Sequence, residues 1–266
     1  MHPESLTSEE IASFHENGFL VVRQVVPPGV LAELSRGAND LQKKYEAYRK
    51  EKDTYYTSAE AETFDEMMDG SGADKGGDDK VLWRIDKLDD KLPEVALLKR
   101  LPFVHNAIKM LLGEEILQYN ESFVTKPPRI GQPVHWHQDP SFKIKATSDP
   151  ISTCDVYLDK ADEENGCLWV VPGSHKKGVI DVKPLVKEHG FKIPGAIPVR
   201  MEPGDVAFHD NGCLHGSMAN HTDRQRRIVY LAFQTLRQGR TGGMFTEEFL
   251  QDRLDAFEGF RQQAFA

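Results

Sequence analysis

The sequence predicts an α+β protein with a mainly β core, built as a sandwich or barrel onto which N-terminal helices pack. Two observations carry this prediction. From Ile116 onward, short runs rich in β-branched and aromatic residues are separated by Gly, Pro, Asn or Asp. Before that point, helix-capping signals and helical spacing of apolar residues prevail. Many short strands joined by turns are typical of sandwiches and barrels rather than of a parallel sheet.

The N-terminal part contains three helix signals. A capping box at Thr7-Ser8-Glu9-Glu10 predicts a short helix that ends at Gly18. From about Gly29, apolar residues recur at alternating steps of three and four, which predicts one amphipathic helix packed on the core. Pro102 predicts the start of a third helix, which ends at Gly113.

Strand signals begin early and dominate the second half. FLVVRQVV, from Phe19 to Val26, predicts a buried strand, and VLWRIDKL, from Val81 to Leu88, has a strand-like pattern. Further strands are predicted in ILQYNESFVT, ISTCDVYL, GCLWVVP, IPVRM, DVAFH and RRIVYLAFQT. We expect a single domain over residues 1–266, with a helical part at about 1–115, a β core at about 116–240 and a C-terminal helix at about 245–262.

Composition excludes several classes of function. The chain has 266 residues and a net charge of -9, and an acidic surface is a poor partner for nucleic acid or an anionic membrane. No apolar run approaches the roughly 18 residues of a membrane helix, and MHPESLTSEE lacks the pattern of a secretory signal. The three cysteines are scattered, which favours free thiols in a reducing compartment, so we expect a cytoplasmic protein. Oligomeric state is not indicated.

Residues 53–79 differ from the rest of the N-terminal part because they are rich in Asp, Glu and Gly. This composition predicts either a mobile lid over a site or a solvated linker.

Four residues that are spread along the sequence suggest a metal site with a bound co-substrate. They are His137 and Asp139 in HWHQDP, His215 in CLHGS, and Arg226 in DRQRR. Two imidazoles and one carboxylate can occupy one face of an Fe(II) ion and leave the opposite face open for a co-substrate and O₂. An Arg can hold the far carboxylate of a keto acid through a bidentate contact.

The residues alone leave other ligand sets open. An HxD pair is a weak signal in a chain with ten histidines. The alternative imidazoles are His135, His209 and His221, and the alternative carboxylates are Asp149, Asp155 and Asp159.

The run EENGCLWVVPGSHKKG, with HQD before it and LHGS and Arg226 after it, resembles the phytanoyl-CoA dioxygenase family of Fe(II)- and 2-oxoglutarate-dependent oxygenases. The resemblance extends from HENGFLVV to VYLAFQ and implies a double-stranded β-helix, a cupin-like jelly roll. It also implies that His137, Asp139 and His215 bind iron and that Arg226 binds the distal carboxylate of 2-oxoglutarate.

Three further positions match positions of the family, and the match of Arg84 is the loosest of the three. Trp169 matches a position that lines the co-substrate pocket, Gln138 one that can hydrogen-bond the co-substrate, and Arg84 a basic position near it. Because the carboxylate ligand Asp139 is present, hydroxylation of a small molecule is favoured over halogenation. A non-catalytic cupin-like protein and a Zn²⁺ enzyme in the same cage are the alternatives.

Two features suggest different substrates. Lys143 and Lys145 follow the metal motif and predict a site for an anion, or else two solvated lysines on an edge strand. Asp155 stands where an apolar residue would be unremarkable, and would attract an amine or hydroxyl if it faced the barrel interior.

Overall fold

The computed structural model describes residues 4–51, 82–129, 131–139, 149–243 and 245–266. The acidic segment 53–79, predicted as a lid or linker, lies outside the described residues, and so do Lys143 and Lys145.

The described chain begins with helices and continues mainly as strands. The helices are α1 (Ser8–Asn17), α2 (Pro28–Glu51), α3 (Val95–Lys99), α4 (Pro102–Leu112), α5 (Lys183–His189), α6 (Leu236–Gly242) and α7 (Glu247–Ala264). The strands are β1 (Phe19–Val22), β2 (Arg84–Asp86), β3 (Ile116–Lys126), β4 (Val134–His137), β5 (Ser152–Tyr157), β6 (Leu168–Val170), β7 (Ile197–Val199), β8 (Val206–Asp210), β9 (His215–Ser217) and β10 (Arg226–Thr235).

Most of the predicted helices and strands are present in the structure, with small changes in their bounds. Thr7 caps α1 through the complete capping box, and Gly18 ends the helix in the left-handed conformation at φ 77°. The strand predicted from Phe19 to Val26 is shorter and ends at Val22. β4 and β9 were not predicted as strands, because each is short and carries polar residues.

The described strands form two antiparallel sheets. The larger sheet has the order β1-β8-β5-β10-β3-β2, and the smaller has the order β4-β9-β6-β7. This topology confirms the predicted α+β jelly roll, since neighbouring strands come from distant parts of the chain. One apolar cluster contains residues of both sheets, among them Tyr157 and Ile228 from the larger and Leu168 and Val170 from the smaller.

The opposite face of the larger sheet is covered by helices. Phe14 of α1, Leu34 of α2 and Ile108 of α4 share a second apolar cluster with Cys154 and Val156 of β5. β5 is therefore buried on both faces, between the helices and the smaller sheet. Among the residues that the structure describes, no helix has the length and apolarity needed to cross a bilayer.

Candidate metal centre and cavity

Three potential ligands meet where β4 and β9 pair. The register places His137 directly opposite His215, and Asp139 follows β4 with its backbone N–H donating to Asn211 O at 2.9 Å. Asp139 Oδ1 lies 3.8 Å from His137 Nε2 and 4.0 Å from His215 Nε2. One ligand atom from each of the three residues lies within 4.8 Å of the others, which is close enough to share one metal ion. Two imidazoles and a carboxylate match the donor set that Fe(II) oxygenases use.

Hydrogen bonds orient both imidazoles. His137 Nδ1 lies 2.8 Å from His135 O, and His215 Nδ1 lies 2.8 Å from Cys213 O. A carbonyl can only accept, so each Nδ1 donates and the Nε2 lone pair faces the cluster.

The protonation states also suit metal binding. Burial, together with the His137 and His209 rings, lowers the pKa of His215 to about 3, and burial lowers the pKa of His137 as well. Burial raises the pKa of Asp139, but the neighbouring histidines His209, His215 and His137 outweigh it and hold that pKa well below its usual range. Neutral imidazoles and an ionised carboxylate are the forms that bind metals.

The alternative ligands lie elsewhere or are otherwise engaged. The side chains of His135 and His221 are exposed. Asp149 pairs with Arg237 and Thr235, and Asp159 pairs with Arg227.

Asp155 and His209 form a buried pair behind the cluster. Asp155 faces the space between the sheets but has no solvent exposure, and its Oδ2 lies 2.8 Å from His209 Nδ1. Burial lowers the pKa of His209, but Asp155 and Asp139 outweigh it and raise that pKa to about 10. The hypothesis that Asp155 itself contacts an amine substrate is not supported, because His209 stands between Asp155 and the cavity and lines it in its place.

A cavity of about 240 Å³ lies beside the three ligands and between the two sheets. Its wall is largely polar or aromatic. The lining includes Trp83, Arg84, Tyr119, Asn120, Ser122, Thr153, Leu168, His209, Asn211, Arg226 and Tyr230.

Arg226 is the buried cation of this cavity, with 2% of its surface exposed. Its Nε and Nη2 donate to Gly166 O at 3.1 and 2.9 Å, whereas Nη1 is buried and has no hydrogen-bond partner among the described residues. An unpaired buried guanidinium N–H is strongly unfavourable, so this atom fits an anionic ligand that enters the cavity.

A second cation, Lys126, lies beside Arg226. The two residues are direct cross-strand partners on β10 and β3, and Lys126 is also 2% exposed. Its ammonium donates to Gln132 O. Burial and the adjacent Arg226 charge hold the pKa of Lys126 well below its usual range. Sequence analysis missed Lys126, because the predicted strand ILQYNESFVT ends one residue before it.

Arg84 belongs to a polar network on the cavity wall. It pairs with Asp86 and donates to Ser122 Oγ at 2.9 Å, and Asn120 also donates to Asp86. Arg84 is among the residues that line the cavity. Its role near the co-substrate stays a prediction.

Two expected cavity residues point elsewhere. Leu168 lines the cavity, whereas the neighbouring Trp169 packs at right angles to Phe191, with ring centroids 6.0 Å apart. Gln138 is 4% exposed, and its amide bonds three backbone groups: the carbonyls of Gly178 and Gly212 and the N–H of Ile180. Neither Trp169 nor Gln138 is among the residues that line the cavity, and their roles toward the co-substrate stay predictions.

Comparison with known proteins identifies the family. Residues 14–228 match the model of the family described as Phytanoyl-CoA dioxygenase (PhyH), and the chain belongs to this family. The jelly roll with a His-Asp-His cluster is the arrangement that the sequence resemblance implied.

Two curated relatives and one solved structure are similar to this chain. The "Probable alpha-ketoglutarate-dependent hypophosphite dioxygenase" of Stutzerimonas stutzeri is 29% identical over 172 residues, which are 58% of this chain and 57% of the relative. The methylphosphonate hydroxylase of Gimesia maris is 30% identical over 151 residues, 55% of each chain. The match therefore spans little more than half the length of these relatives. EctD from S. alaskensis, solved with 2-oxoglutarate and 5-hydroxyectoine, shares the fold with a TM-score of 0.67 and 21% identity, over 88% of this chain and 77% of that one.

Proposed function

We propose that this chain is an Fe(II)- and 2-oxoglutarate-dependent dioxygenase that hydroxylates an unactivated C–H bond of a small molecule and releases succinate and CO₂. The observation that carries the proposal is the placement of two features in one cavity. Three ligand atoms lie within 4.8 Å of one another, and the same cavity is lined by the buried Arg226, whose Nη1 has no partner among the described residues. Membership of the family supports the same reaction class.

Each residue has a distinct role in this proposal. His137, Asp139 and His215 hold the iron, which when bound supplies the redox chemistry that couples decarboxylation of 2-oxoglutarate with O₂ to oxidation of the substrate. Arg226 orients the co-substrate by pairing with its distal carboxylate. The apolar residues around the cavity, such as Leu168 and Val134, keep bulk water from the reacting groups.

The size and the wall of the cavity favour a small, polar substrate rather than a long acyl chain. Its volume of about 240 Å³ is below the roughly 300–1,000 Å³ typical of sites for drug-sized ligands. Asn120, Ser122, Thr153 and Tyr230 supply hydroxyl and amide groups to its wall. The names of the relatives, which refer to hypophosphite and methylphosphonate, suggest small oxyanions as the first compounds to test.

Succinate formation tests the reaction class. The purified protein should convert 2-oxoglutarate to succinate only with Fe(II) and O₂, and a library of small polar molecules should contain compounds that accelerate this conversion and gain one oxygen by mass spectrometry. Asp139→Ala should abolish the reaction, because the iron loses its anionic ligand. Zn²⁺-dependent turnover without succinate would instead favour the hydrolase alternative, and metal binding without turnover of any compound would favour a non-catalytic metal protein.

A further inference from the structure

The two oxygens of Asp139 face different neighbours. Oδ1 lies between the two ligand imidazoles, 3.8 Å from His137 Nε2 and 4.0 Å from His215 Nε2. Oδ2 lies 3.6 Å from His209 Nε2. Only Oδ1 therefore faces the space that both imidazoles share, and His209 stands beside the other oxygen.

His209 is held rigidly from behind. Its Nδ1 lies 2.8 Å from Asp155 Oδ2 and 2.8 Å from Thr153 Oγ1, and its ring packs against that of His215 with centroids 4.7 Å apart. His209 is 2% exposed and Asp155 is fully buried, so both side chains are shielded from water.

Burial of the Asp155 carboxylate lowers the stability of the fold unless the carboxylate has a specific partner. Burial of an ion without compensation is strongly unfavourable, and the inward-facing neighbour of Asp155 on β5, Tyr157, shows that an apolar or aromatic residue fits this face. The partner of Asp155 is the imidazole of His209, which faces Asp139 on its other side. The chain of contacts Asp155, His209, Asp139 thus links the interior of β5 to the ligand cluster.

We propose that Asp155 and His209 are positioning residues that hold Asp139 as a one-oxygen ligand of the metal. The inference rests on the proposed metal site. Carboxylates can bind a metal through one or both oxygens, and a second bound oxygen would occupy a position that the co-substrate needs. With Oδ2 facing His209, Oδ1 is left as the ligand atom. Residues of this kind, one contact removed from a metal, typically change metal affinity by 10–100-fold when mutated.

The test is calorimetric titration of Mn²⁺, which resists oxidation by air better than Fe(II), into the metal-free protein. Asp155→Asn should weaken Mn²⁺ binding by about 10–100-fold. His209→Leu should cause at least the same loss. His209→Gln, which keeps an N–H donor near the position of Nε2, should recover most of the affinity.

Glu121→Gln is the matched control. Glu121 is a carboxylate of the same sheet that is 3% exposed and pairs with Lys99 at 3.7 Å, but it is cross-strand from Leu231, whose side chain lies in the helix-side cluster. Its replacement should leave Mn²⁺ affinity unchanged, because Glu121 does not contact the ligand cluster.

The proposal would be overturned if Asp155→Asn bound Mn²⁺ as tightly as the wild type, or if Glu121→Gln lost as much Mn²⁺ affinity as Asp155→Asn. It would also be overturned if His209→Gln and His209→Leu lost the same Mn²⁺ affinity, because the ring would then act by packing alone. The metal site itself would fail in a different way, through an Asp139→Ala variant that binds Mn²⁺ like the wild type or a wild type that binds none. If Asp155→Asn does not fold, the comparison of the two His209 variants decides the question.

Discussion

Arg226 and Lys126 lie directly opposite each other on neighbouring strands, and both are 2% exposed. The groups that affect the pKa of Lys126 include Arg226 but no Asp or Glu among the described residues. Two cations buried side by side repel each other, and an anion that enters the cavity relieves this repulsion. The pair therefore supports the proposal that the distal carboxylate of 2-oxoglutarate binds beside Arg226.

Arg226→Ala should weaken 2-oxoglutarate binding by about two to three orders of magnitude. Removal of one partner of a buried charge pair typically costs about 3–5 kcal/mol, and each 1.4 kcal/mol is about a factor of ten. Arg226→Lys should recover part of the loss, since it lacks the planar fork. Calorimetric titration of 2-oxoglutarate into the Mn²⁺-loaded protein measures the effect.

Arg224→Ala is the control for general loss of positive charge, because Arg224 is half-exposed and pairs with Asp162. A larger loss of 2-oxoglutarate affinity in Arg224→Ala than in Arg226→Ala would show that the anchor is misassigned.

Lys126→Met should stabilise the ligand-free fold and weaken 2-oxoglutarate binding. The pKa of Lys126 is lowered in the folded state, so its charge opposes folding below that pKa, and stability rises with pH toward the ordinary pKa of lysine. Methionine removes this penalty, and it also removes the hydrogen bond that Lys126 donates to Gln132 O. Urea unfolding at pH 7 and pH 9 should show a gain that is smaller at the higher pH. A loss of stability at both values would contradict the prediction.

Gln138→Leu should destabilise the fold more than it affects the co-substrate. Three backbone groups lose their hydrogen-bond partner, at about 1 kcal/mol for each bond. The expected loss in the free energy of unfolding is therefore about 2–3 kcal/mol, whereas 2-oxoglutarate affinity of the folded fraction should remain close to that of the wild type. A large loss of affinity with unchanged stability would instead restore the direct role that the sequence suggested.

Asp205→Asn should lower stability at neutral pH but not in acid. Asp205 is buried; burial raises its pKa, but the N–H groups of Glu202 and Gln24 and the Arg23 guanidinium outweigh it and lower that pKa. The folded pKa lies below the unfolded value, so the stabilisation is fully present above about pH 4 and is lost as the pH falls through the folded pKa.

Hydrogen bonds to a charged group contribute about 1.5–3 kcal/mol, which sets the expected difference from wild type at pH 7. Chemical unfolding at pH 7 and at pH 3 should show that the difference shrinks in acid. Asp223→Asn, at an exposed carboxylate paired with Arg129, is the control and should change stability little at either pH. A difference for Asp205→Asn that is constant with pH would show that its charge is not involved.

Local signals were sufficient for much of the fold and for the ligand cluster. The capping box at Thr7, the glycine that ends α1 and the Pro102 start of α4 depend on neighbouring residues, and the structure has each of them. The ligands His137, Asp139 and His215 were chosen from their spacing and the family resemblance, and the structure brings their side chains together. Their role in binding iron stays a prediction until metal is titrated.

The fold class, the family and the residue types of the candidate site follow from periodicity, capping and motifs along the chain. The directions in which the side chains of Asp155, Trp169, Gln138 and Lys126 point depend on how the strands pack. β5 and β6 are buried at every position, so the alternation of apolar and polar residues that normally marks the inner face is absent. Which face of such a strand meets the cavity depends on its cross-strand register, as in the pairing of Arg226 with Lys126, and register is set by contacts between residues far apart in sequence.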